Sequence, residues 1–144
     1  MPFEPRDPDF ETRVRASFAR QRAMETVGAR LARVAAGEVE IELAFRDDLT
    51  QQHGYLHAGV VAAVTDSACG YAALSLAEPG AEVLSIEFKL NLLAPSAGDS
   101  FTARARVLRA GRNVTVCAGD FFARRGDAEK LVATMLATMM TVRT

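Results

Sequence analysis

From Ala58 to Ala77 the chain reads AGVVAAVTDSACGYAALSLA, and every residue apart from Asp66 and Tyr71 is small, apolar or weakly polar. Alanine dilutes the strong strand formers and the run is long, which favours a helix over a strand. A helix that is apolar nearly all round must be buried on most of its sides. Pro79-Gly80 then ends the segment. A membrane span is the competing reading, but a carboxylate in lipid is costly and no companion span accompanies it.

Strand signals flank this helix. Ala29 to Ala35 leads into a turn at Ala36-Gly37, and Glu38 to Phe45 alternates, with Val39, Ile41, Leu43 and Phe45 on one face. Arg46 to His53 is a polar loop. Downstream, Leu84, Ile86, Phe88, Leu90 and Leu92 alternate with polar residues until Pro95 and Gly98. That apolar row is expected to meet the helix, which turns Ser85 away from it. Phe101 to Arg109 runs out to Ala110-Gly111 and Asn113 to Ala123 runs back. Arg125-Gly126-Asp127 turns into a last strand, Leu131 to Val142. At the N-terminus a proline-broken lead-in gives way to a helix of about four turns, with Asp7 as N-cap and Pro8 at the first helical position. Phe10, Val14, Phe18 and Gln21 share one side of it.

One helix that is apolar all round is enclosed when an antiparallel sheet curls about it. The expected fold is therefore α+β: a hotdog fold, its antiparallel sheet wrapped around one long buried helix, with an extra N-terminal amphipathic helix. Residues 1–25 form the lead-in and helix, and residues 26–144 a single domain. Such a sheet leaves open edges and an apolar rim, so self-association is expected, through the strand Leu84 to Leu92.

Composition narrows the function. With 144 residues and a formal net charge of -1, the chain has no general attraction for nucleic acid or anionic lipid, and neither is expected as a partner. Cys69 and Cys117 lie apart within apolar segments and read as core residues of a reducing compartment. The opening MPFEPRDPDF lacks the continuous apolar stretch of a signal peptide, so a soluble cytoplasmic protein is expected.

Chemistry gathers where the buried helix begins. Gln51-Gln52-His53-Gly54-Tyr55-Leu56-His57-Ala58-Gly59-Val60 carries both histidines of the chain. The first turn of a helix has backbone N–H groups without partners and a dipole that favours negative charge. A carbonyl set against those amides is polarised, and an oxyanion developing on it is stabilised. Asp66 follows about two turns later. A lone carboxylate among alanines is costly unless it is paired, protonated or used, and use is the favoured reading.

These stretches, QQHGYLHAGVVAAVTDSACGYAA followed by VLSIEFKLNLLAPSAGD, resemble the hotdog acyl-CoA thioesterases related to the phenylacetate-pathway and 4-hydroxybenzoyl-CoA enzymes. The resemblance runs over roughly residues 24–142. It implies hydrolysis of acyl-CoA esters without metal or organic cofactor. By matching position, Asp66 is the general base or nucleophile, the Ala58 amide holds the oxyanion, Gln51 helps hold the carbonyl and Ser85 stands near the reacting water. The family's usual helix start is His-Gly-Gly, and this chain has His57-Ala58-Gly59; a backbone N–H survives that change. Gly59 falls in the same substrate-binding turn. The resemblance also implies sites shared between two subunits, in a homodimer that pairs into a dimer of dimers. A shared site also offers Ser85 a way to the reacting centre from its outward face.

Other readings stay open at this level. His57 either caps the helix or touches substrate, and His53 reads as a loop residue. Arg109, Arg112, Arg124 and Arg125 lie near turns, where Arg112 and Arg124 are candidates for coenzyme A phosphates or simply solvated. The N-terminal helix covers the acyl pocket or packs on the sheet edge. A hotdog dehydratase or hydratase, and a non-catalytic acyl-thioester binder, are the alternatives in function. A metal site of His53, His57 and Asp66 is disfavoured because Gly54 and the loop break the i, i+4 spacing.

Overall fold

The computed structural model describes residues 3–143. Helix α1 (Phe10–Arg20) and the short α2 (Arg22–Val27) precede a hairpin of β1 (Arg30–Ala35) and β2 (Glu38–Ala44). A loop with one 3-10 turn leads to α3 (Ala58–Leu74), and β3 (Glu82–Leu92), β4 (Ser100–Ala110), β5 (Val114–Arg125) and β6 (Ala128–Val142) follow. All neighbouring strands pair antiparallel, in the order β1-β2-β4-β5-β6-β3, so β1 and β3 are the edges. The long helix lies against this sheet, as the sequence leads one to expect of a hotdog fold. Among the described residues no helix is long and apolar enough to cross a membrane.

Close approach of helix and sheet depends on small residues. A Cβ at Gly119 on β5 would stand 2.7 Å from Thr65 Cγ2 and 2.8 Å from Cys69 Sγ, both on α3. Val61, Val64, Ala68, Cys69 and Ala72 are fully buried there, among Val39, Ile41, Phe101 and Phe121 from the sheet. The Phe101 and Phe121 rings stack at 5.6 Å. Phe45, expected to continue the inner face of β2, lies just past the strand's end and is 40% exposed.

Along α3 one stripe is left partly open: Ala58, Ala62, Asp66 and Gly70, each four residues from the last. Spacing of four keeps residues on one side of a helix. The stripe carries almost no side-chain bulk apart from Asp66, so the helix's one carboxylate emerges from its open side. The helix also ends at Leu74, three residues before the end of the apolar run. Ser75 accounts for this, its hydroxyl donating to the Ala72 carbonyl at 2.6 Å and accepting the Gly37 N–H at 2.8 Å. Beyond it Arg13 of α1 donates to the carbonyls of Leu74, Ala77 and Glu78 at 2.6–3.0 Å, satisfying groups that a helix end leaves unpaired.

The N-terminal helix begins later than expected. Asp7 does not cap it: its carboxylate accepts the Asp9 N–H at 2.9 Å, and its carbonyl accepts the Phe10 N–H at 3.2 Å, closing a turn through Pro8 before the helix starts. The expected four turns divide instead, with Gln21 in an extended conformation between α1 and α2.

The strand β3 departs most from its pattern. Its strict alternation places Ser85 outward, yet Ser85 pairs with the buried Met139 and Glu87 with the outward Thr138. Residues directly opposite in an antiparallel pair share a face. The register therefore slips at Ile86, a bulge that reverses the phase of the strand. Phe88, Leu90 and Leu92 face the helix side after the bulge, while Ser85 faces it before. The conflict foreseen for Ser85 is thus removed inside one chain, and needs no second subunit. The bulge leaves Leu84 on the outer face, 62% exposed.

Candidate active site

At mid-helix, Asp66 emerges from the open stripe of α3 under the edge strand. Ser85 Oγ donates to its Oδ1 at 2.7 Å and lies 3.2 Å from Met139 Sδ. Asp66 Oδ2 has no hydrogen-bond partner among the described residues. These two residues border a cleft of about 360 Å³, whose other walls include Ser17, Gln21, Ser67, Tyr71 and Val83. The structure brings Asp66 and Ser85 together as a carboxylate with one oxygen held and one oxygen free.

A second cleft, of about 450 Å³, opens at the helix N-terminus between Gln51, Tyr55, Leu56, Ala58 and the segment Leu92 to Ser96. His57 is the N-cap of α3, and its Nδ1 accepts the Gly59 N–H at 2.8 Å. That contact puts the remaining ring proton on Nε2. A Cβ at Gly59 would lie 3.0 Å from His57 Nδ1, so a larger residue there would push the exposed imidazole by a few tenths of an ångström. The Val60 and Val61 N–H groups both go to the His57 carbonyl. The Ala58 N–H is left as the first-turn amide without an acceptor among the described residues. His57 thus takes the capping role, and Gly59's amide is occupied by that cap within this chain.

Gln51 is fixed by its own loop. Its Oε1 accepts the N–H groups of His53 and Tyr55 at 2.6 and 3.3 Å, and its backbone pairs with Tyr55 and Gly54. Only oxygen can accept from those amides, so the side-chain NH2 is the end left over. Gln51 therefore presents two donors beside the free Ala58 amide. Gly54, at φ 81°, gives the loop a left-handed turn.

The remaining candidates separate. Arg109 and Arg112 stand at the β4–β5 turn and Arg124 and Arg125 at the β5–β6 turn, with Arg112 and Arg124 roughly 40 Å apart along β5. In one chain Arg112 and Arg124 do not form a single phosphate site. Arg124 lies 3.9 Å from Glu129, and the Arg112 carbonyl accepts from Arg143 at 2.7 Å. His53 is exposed in the loop, and among the described residues no three His, Cys, Asp or Glu side chains converge. His53, His57 and Asp66 are not brought together.

Sequence reasoning passed over several residues that line the two clefts. Tyr55, Leu93 and Pro95 line the cleft at Ala58, and Ser17, Gln21 and Tyr71 the cleft at Asp66. The signal for Ser17 and Gln21 was present: they extend the stripe of Phe10 and Val14 at spacings of three and four.

The family model of the thioesterase superfamily matches residues 53–130, more than half the chain. A candidate esterase of Saccharolobus solfataricus is 31% identical over 109 residues, covering 75% of this chain and 74% of that protein. A crystal structure of a thioesterase family protein from Silicibacter pomeroyi superposes with a TM-score of 0.92 at 48% identity, over 94% of this chain and 99% of the other. The PaaI protein of the Escherichia coli phenylacetic acid degradation operon shares the fold, with a TM-score of 0.84 at 19% identity over 93% and 94% of the two chains. With this fold and these matches, the chain belongs to the thioesterase superfamily and is a thioester hydrolase.

Proposed function

We propose that the chain hydrolyses acyl-CoA thioesters to free acid and coenzyme A, at sites completed by two copies of the chain. One observation carries this reading. The free carboxylate oxygen of Asp66 and the free amide of Ala58 sit on one helix, eight residues apart, which is about 12 Å along its axis. A carbonyl polarised at Ala58 is therefore out of reach of Asp66 of the same chain. Two copies set with their α3 helices antiparallel bring Asp66 of each to Ala58 and Gln51 of the other. The exposed edge strand β3 is the surface suited to that pairing, with Leu84, Ile86 and Phe88 all 45% exposed or more.

In such a site the Ala58 N–H and the Gln51 amide hold the thioester oxygen as it gains charge. Asp66 Oδ2 either takes a proton from water as the water oxygen bonds to the carbonyl carbon, or bonds to that carbon itself and is released by water in a second step. In both routes the C–S bond breaks and coenzyme A leaves as thiolate, so no strong general acid is required. Ser85 holds Oδ1 and thereby aims Oδ2. Arg124 stands at the Ala58 end, where the nucleotide phosphates would find a cation; Arg112 reaches such a ligand only from another protomer. The working unit is a homodimer, with pairs of dimers forming a tetramer, in the cytoplasm. A screen of acyl-CoA chain lengths and aryl-CoAs with free-thiol detection tests the reading. Release of coenzyme A from at least one ester, lost in Asp66→Asn, is expected, and absence of release from every ester would overturn it.

A further inference from the structure

The cleft beside Asp66 contains more polar groups than thioester hydrolysis uses. Ser17 of α1 donates to the Tyr71 hydroxyl at 3.3 Å, and Ser67 donates to Gln21 Oε1 at 3.2 Å. Each contact leaves a donor over: one hydroxyl proton of the Ser17–Tyr71 pair and the Gln21 side-chain NH2 have no acceptor among the described residues. Tyr71 and Gln21 both border the same cleft as Asp66 and Ser85. The Tyr71 ring is held edge-on by Phe18, centroid to centroid 5.8 Å, so packing against α1 sets where its hydroxyl stands. Tyr71 lies five residues past Asp66, about 7.5 Å along the helix axis.

An acyl group whose carbonyl sits at Asp66 runs along this cleft toward those donors. A saturated chain would desolvate them without a partner, whereas an oxygen on the chain would accept from them, and a site with unpaired donors discriminates on that difference. Resting on the acyl-CoA reading of the site, we infer that the N-terminal helix builds its acyl end, where Gln21 and Tyr71 select acyl groups bearing an acceptor oxygen several carbons from the thioester. A six-carbon chain with a keto oxygen near its end spans the distance. Gln21 and Tyr71 are specificity determinants, and the hydrolytic step itself remains with Asp66.

The test compares kcat/KM for hexanoyl-CoA and 5-oxohexanoyl-CoA, in the wild type and in Tyr71→Phe and Gln21→Leu. Tyr71→Phe keeps the ring against Phe18 and removes only the hydroxyl. The wild type should favour the keto ester by about tenfold, the worth of one or two neutral hydrogen bonds. Each variant should bring that ratio several-fold closer to one. The ratio is internal to each variant, so a general loss of activity leaves it readable. Equal rates for the two esters in the wild type, or a ratio unmoved in Tyr71→Phe, would overturn the inference while leaving acyl-CoA hydrolysis intact. Failure of the wild type to hydrolyse either ester, together with every other acyl-CoA, would overturn both.

Discussion

Asp66 shows how a single side chain is made usable by its neighbours. Ala62 and Gly70, one turn to either side, add no bulk that would bury it, and Ser85 occupies one of its two oxygens. Asp66→Asn preserves shape and the serine contact but removes the basic oxygen. Turnover of acyl-CoA should fall by about 10² or more, since positioned acid–base help is worth that much. A steady-state assay reads this, and near wild-type turnover would remove Asp66 from the mechanism. His57 acts differently, through the helix start. His57→Ala should cost roughly 1 kcal/mol in urea unfolding, the usual worth of a cap, and His57→Asn should restore most of it. Equal stability of all three proteins would show that the Nδ1 contact with Gly59 does not stabilise the helix.

At the scale of elements, the contact between α3 and β5 is a tight constraint. Gly119 lets the helix settle onto the sheet at Thr65 and Cys69, and neither neighbour can move aside without leaving the core. Gly119→Val should destabilise by about 1–3 kcal/mol through overpacking, as a lowered midpoint in denaturant. The two cysteines report on the same layer. Burial pushes the Cys117 thiol up to about 12 and raises that of Cys69, to which Cys117 and Asp66 add. Thiolate is the reactive form and a raised pKa keeps both thiols protonated through neutral pH. A thiol reagent at about pH 8 should therefore label neither in the folded protein and both in denaturant. Rapid labelling of the native protein would show that this layer opens.

For the whole molecule, the proposed reading requires a surface for pairing, and the exposed edge β3 is one that an isolated chain leaves unprotected. Ile86, at its bulge, is 53% exposed. Ile86→Lys should disrupt pairing along that edge, shifting sedimentation toward monomer and taking thioesterase activity with it. A fully associated and active variant would place the interface elsewhere. Complementation tests the sharing of the site directly. Asp66→Asn and Gln51→Ala chains, each impaired alone, should regain activity when co-expressed, because a hybrid dimer holds one site with both groups intact. Absence of rescue in confirmed hybrids would mean that each site lies within one chain.

The apolar run from Ala58, the alternating strands and the lone Asp66 were legible in the residues, because periodicity and burial of apolar surface are local rules that hold wherever a segment is placed. The motif at Gln51 to Gly59 likewise marked the helix start, since unpaired first-turn amides belong to any helix. What the order of residues did not reveal were matters of contact between distant segments. The phase of β3 depends on its register with β6, so a strand of perfect alternation still turned Ser85 inward at a bulge. The split of the N-terminal helix at Gln21 accompanies a contact with Ser67 of α3, and the end of α3 depends on Gly37 and Arg13. The contacts of His57 and Gln51 are hydrogen bonds at a loop whose turn the sequence does not specify. Periodicity sets which side of an element is apolar; only tertiary pairing sets which neighbour that side meets, and the two differ wherever one extra residue shifts the register.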